Sequence, residues 1–114
     1  MVRNETYLIY GCQLTNRFSE EFRETEEWDE MQLPWCGKDA KGTTGILEDN
    51  MGNNYLLAGK CLAVANDEEG IELTEISCEE IKKLHEVEVR KWIKEKKLHG
   101  YSEELKVYVV THYH

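Results

Sequence analysis

An α+β fold, with a four-stranded, mainly antiparallel sheet and two helices on one face, is predicted by three features of this 114-residue sequence. Runs rich in branched and aromatic residues at 6–14, 43–48, 54–65 and 105–112 read as strands. Two segments with three- and four-residue apolar spacing, 20–31 and 78–99, read as helices. The resulting order, β-α-β-β-α-β, is that of the split βαβ or ferredoxin-like arrangement. Residues 1–114 therefore read as a single domain, a usual size for one.

The first strand, Thr6 to Leu14, has no helical period. Ser19 follows as an N-cap, with Glu20 and Glu21 placed to favour the first helical turn. Phe18, Phe22, Thr25 and Trp28 form one stripe of that helix, and Pro34 ends the pattern. Residues 34–44 read as a loop displaying Trp35, Cys36 and Lys38. The Asn/Gly/Asp-rich stretch 49–53 between two apolar runs is a hairpin signal. An acidic turn at 66–70 precedes a short extended piece around Ile71 and Leu73. Ser77-Cys78-Glu79-Glu80 has the form of a capping box before the second helix. Ile81, Leu84, Val89, Trp92 and Ile93 supply that helix's stripe, and Gly100 suits its C′ position. Leu105, Val107, Val109 and Thr111 then alternate with Lys106, Tyr108, Val110 and His112.

Net charge is −9, from 23 acidic and 14 basic residues. Such a balance opposes direct binding to a bare nucleic-acid backbone or to anionic lipid, and it suits a basic protein partner. The sequence shows no apolar stretch of membrane-spanning length and no secretory leader pattern, so a cytoplasmic location is expected. Cys12, Cys36, Cys61 and Cys78 are accordingly expected as free thiols.

The strands expected at the centre of the sheet carry apolar residues on both faces. Leu8, Tyr10, Cys12 and Leu14 define one face of the first, while Tyr7 and Ile9 define the other. In the third, Leu56, Ala58, Leu62 and Val64 alternate with Tyr55, Leu57, Cys61 and Ala63. Something must cover the second face, either the 32–44 loop or a partner. The doubled pattern favours a homodimer in which Tyr7 and Ile9 meet a second copy.

Chemistry-bearing residues do not converge in the sequence, which favours binding over catalysis, with no catalytic residue, metal ligand or cofactor assigned. His85 and Glu88 on one helix, and His112 and His114 on one strand face, have generic spacing. The cysteines show no C-x-x-C. The most unusual surface is the first helix, where seven carboxylates and one Arg lie between Glu20 and Glu30. Glu20, Glu24 and Glu27 are the candidate partner-binding residues there. For a nucleotide-like small molecule, Trp35 could stack and Lys38, Lys41 or Lys60 could meet phosphate.

Tyr7-Leu8-Ile9-Tyr10-Gly11, the run Gly45 to Gly52 leading into Tyr55 to Lys60, and Val107 to Tyr113 together resemble a group of short uncharacterised proteins. That group is encoded by phages and prophages of Gram-positive bacteria. The resemblance implies an intracellular accessory protein made during infection, in the host cytoplasm, and assigns no catalytic residue. The function expected is that of a non-enzymatic protein that binds and modulates or inhibits a host protein. The alternative is a small-molecule binder, such as a sponge for a signalling nucleotide.

Overall fold

The computed structural model describes residues 4–34, 37–48, 55–66 and 78–113. Its sheet is built from β1 (Asn4–Gln13), β2 (Thr44–Glu48), β3 (Leu56–Asn66) and β4 (Lys106–Tyr113) in the order β2-β3-β1-β4. Every pairing is antiparallel. Among the described residues three α-helices join them: α1 (Glu20–Arg23), α2 (Glu26–Met31) and α3 (Cys78–Glu95). The α+β class is as the sequence predicts. The 49–53 turn, the 66–70 turn beyond Asn66, the extended piece near Ile71 and the Ser77 cap lie outside the described residues.

The single first helix is a correction. It breaks in two at Thr25, whose side-chain oxygen accepts from the Trp28 amide (3.2 Å) while its own amide donates to Phe22 O (3.0 Å). Thr25 therefore caps α2 instead of continuing an apolar stripe. The expected Ser19 cap is present, accepting from the Phe22 amide at 3.1 Å. Phe18, Phe22 and Trp28 still pack together, with the Phe18 and Trp28 ring centroids 4.8 Å apart.

The stripe of α3 is also rotated from expectation. Ile81 and Val89 are buried and Trp92 and Ile93 half-buried, but Leu84 is 70% exposed. Leu84 lies about 140° round the helix from Val89 at 100° per residue, so a face centred on Val89 turns it to water. The helix ends earlier than Gly100. Leu98 N–H donates to Ile93 O (3.0 Å) and Lys97 N–H to Lys94 O (3.1 Å), which is a Schellman pattern. Lys97 itself, with φ 55°, occupies the left-handed C′ position.

Both sheet faces carry a core, as the doubled apolar pattern requires. On one, Tyr10, Cys12, Leu14, Ile46 and Ala58 pack with Trp28, Met31, Ile81, Val89 and Leu98 of the helical side. On the other, Tyr7, Ile9, Leu47, Leu57 and Cys61 pack with Leu33 and Ala40. The strand parity slips at one place. Leu8 pairs with Ala63 but Ile9 with Cys61, so Leu62 bulges out of the ladder. Val64 thereby joins Tyr7 and Ile9, not the face it shares with Leu62 in the sequence pattern.

The cover over the second face comes from the same chain. A 3-10 turn, Gly37–Ala40, lies against β3, and Ala40 is fully buried. It is tied down by Gly42 N–H to Cys61 O (2.7 Å) and Cys61 N–H to Thr43 O (2.9 Å). Just before it, Gln32 bridges Ile46 in parallel and Leu33 N–H donates to Ile46 O. Beneath, Gly11 faces Gly59 across β1 and β3, and a Cβ on Gly11 would fall 1.9 Å from Ala58 O. Only glycine permits that approach.

Candidate functional site

Two surfaces concentrate charge, one acidic and one basic. The acidic one is the ledge formed by α1 and α2. The two caps set both short helices so that Glu20, Glu21, Glu24, Glu26, Glu27, Asp29 and Glu30 are all exposed. Arg23, the single cation of the segment, turns inward. It forms an ion pair with Glu48, donates from Nε to Phe18 O (3.3 Å) and lies 5.0 Å from the Trp28 ring centroid. Among the described residues none of the seven carboxylates has an ion-pair partner. Five of them, Glu20, Glu21, Glu26, Glu27 and Asp29, sit in first turns, where the helix dipole favours them. Glu24 and Glu30 have no such local reason.

The basic surface is a groove of about 870 Å³ between the C-terminal half of α3 and the 97–105 connection. Its floor is apolar, from Cys12, Ile93, Leu98 and Leu105, and its rim carries Arg90, Lys94, Lys97 and His99 against Glu103. The connection is pinned to the end of β1. Thr15 N–H and Oγ1 donate to His99 O (2.7 and 3.1 Å), and Asn16 Oδ1 accepts from His99 N–H (2.6 Å). Tyr101 N–H donates to Gln13 O, and Gly100 bridges Leu14. A Cβ on Gly100 would stand 3.0 Å from Cys12 Sγ, so glycine lets this wall close on the floor. Arg90 is held by Glu86 (3.2 Å) and by Glu103 O (2.8 Å).

Burial shapes the remaining titratable groups near the sheet. Desolvation raises the thiols of Cys12 and Cys61, the latter to about 11, so both are held as neutral thiols. It also raises Tyr10, whose buried hydroxyl has no hydrogen-bond partner among the described residues. Cys12 and Cys61 are free, as expected, while the side chains of Cys36 and Cys78 lie outside the described residues.

The sequence-predicted site residues separate. Glu20, Glu24 and Glu27 stand on the exposed ledge. Tyr7 and Ile9 are a correction, since both are 1% exposed within one chain. Leu33 and Ala40 share their buried cluster, so the exposed face expected for a partner is covered within one chain. Trp35 and the Lys38 side chain lie outside the described residues. Lys60 is on the opposite face from the 3-10 turn's cover and pairs with Glu88 at 3.0 Å. That pairing gives the Glu88 carboxylate a partner other than His85. The side chains of His112 and His114 are likewise outside the described residues. The groove is not legible as a site in the sequence, because cations near a helix C-terminus are ordinarily explained by the macrodipole. The available signal was the run Lys94 to His99, a basic cluster in a strongly acidic chain.

No family model matches the chain, and neither a curated protein nor a solved structure matches it.

Proposed function

We propose that this protein acts by binding, presenting the α1–α2 ledge to a basic surface on another protein and so modulating or inhibiting it. The observation that carries this reading is the ledge's uncompensated charge. Seven carboxylates face solvent while the one cation among them is committed to Glu48. A patch of that kind speeds encounter with a positive surface and orients it. The resemblance to phage and prophage proteins supports placing the partner in a bacterial host and the protein in its cytoplasm. No described helix is long and apolar enough to cross a membrane. The strand order and antiparallel pairings support reading the scaffold as ferredoxin-like, with β1 and β2 flanking β3 and joined through α1 and α2.

The test compares the protein with a variant carrying Glu20→Gln, Glu24→Gln and Glu27→Gln. All three side chains are exposed, so folding should be unchanged, within about 0.5 kcal/mol. Immobilised wild-type protein should retain a host protein that a few hundred millimolar salt releases, and the variant should retain at least tenfold less. Equal retention by both would remove the ledge from the function.

A further inference from the structure

The groove at the end of α3 has properties that the rest of the surface does not lead one to expect. The chain carries a net charge of −9, yet this one concavity is ringed by Arg90, Lys94, Lys97 and His99 with Glu103 as the opposing carboxylate. Among the described residues neither Lys94 nor Lys97 has an ion-pair partner. Cations at a helix C-terminus are ordinarily explained by the macrodipole. That accounts for their presence near residue 95 but not for their convergence on an apolar floor. The end carbonyls are also already engaged, with Ile93 O and Lys94 O accepting from Leu98 and Lys97 and Trp92 O from Lys96.

Lys97 supplies an independent observation. Its φ of 55° puts a long β-substituted residue where helices most often place glycine. A non-glycine residue in that conformation carries a backbone cost of roughly 1 kcal/mol. Strain kept at a position where glycine would relieve it points to a use for the side chain. Here the side chain lines the groove.

We infer that this groove binds a small organic anion, an aromatic or otherwise flat apolar body bearing a phosphate or carboxylate. The apolar body packs on Cys12, Ile93, Leu98 and Leu105, and the anionic group meets Lys97 and Lys94 at the rim. A volume of about 870 Å³ lies within the range of sites for ligands of this size. Hydrogen bonds donated by Thr15 to His99 O, and accepted by Asn16 Oδ1 from His99 N–H and by Gln13 O from Tyr101 N–H, hold the wall in place before any ligand arrives. The site lies apart from the acidic ledge and does not depend on it.

The experiment is calorimetric titration of the full chain with 1-naphthyl phosphate, alongside 1-naphthol and inorganic phosphate as probes of each half alone. Saturable 1:1 binding of the naphthyl phosphate is expected, at least tenfold tighter than either half. Lys97→Gly should weaken it about five- to tenfold and at the same time raise the thermal midpoint. Lys94→Gln, on an exposed helical position, should weaken it severalfold with the midpoint unchanged. Two results would overturn the inference. One is no saturable binding at millimolar ligand. The other is binding that both substitutions leave unaltered, which would place the ligand elsewhere.

Discussion

Cys61 shows how a single buried side chain ties this fold to pH. It is completely buried on the covered sheet face, and desolvation pushes its thiol from 9.0 up to about 11, slightly offset by a backbone hydrogen bond at Ala63. Because the folded pKa is above the unfolded one, the unfolded chain releases its proton first as pH rises. The resulting stabilisation is fully present below pH 9 and is lost as pH rises through 11. Its size is on the order of 2 kcal/mol. Cys12 and Tyr10, both raised by burial, act in the same direction. Urea midpoints measured from pH 8 to 11 should therefore fall, and Cys61→Ala should flatten the fall. Equal slopes for the two proteins would show that the thiol ionises as readily folded as unfolded.

At the scale of elements, Thr25 decides where one helix becomes two. Its hydroxyl takes the Trp28 amide and so seats the most buried ring of the helical segment, Trp28 at 4% exposure. Thr25→Ala should cost about 1 kcal/mol, read as a lower urea midpoint with unchanged slope. An unaltered midpoint would mean that water satisfies that amide equally well. Element types were legible in the sequence because the apolar runs of β1, β3 and β4 lack a helical period and because Ser19 offers a cap before α1. What misled was residue chemistry with two uses. Thr25 fits a stripe by spacing and a cap by its hydroxyl, and the cap won because it satisfies otherwise orphaned amides. Gly100 looked like a helix terminator, yet Lys97 ends α3 and Gly100 is needed against Cys12. The bulge at Leu62 could not be read from alternation, since both parities there are apolar. The ledge's acids were legible because exposed charge needs no tertiary information. The groove was not, because its floor is gathered from β1, α3 and the connection before β4.

For the whole molecule, the covered sheet face determines what the protein can present to others. The sequence pattern admits residues 32–44 or a second copy as the cover over Tyr7 and Ile9, and it favours the second copy. Leu33 and Ala40 occupy that place, and the twofold dimer drawn from an exposed face loses its motive. The covering segment costs chain entropy to order, and it is held by backbone bonds to Ile46 and Cys61 as well as by apolar contact. Tyr7→Lys is then a core substitution, not a surface one. It would bury an unpaired ammonium, a change of roughly 4 kcal/mol or more against a total stability of about 5–15 kcal/mol. The expected outcome is loss of cooperative unfolding or a large drop in the thermal midpoint by circular dichroism. Val109→Lys, at a strand position 67% exposed, is the matched control and should change stability by less than about 0.5 kcal/mol. A Tyr7→Lys protein that stays folded with an unchanged midpoint, and differs only in light scattering, would show that Leu33 and Ala40 leave that face open and that a second copy closes it.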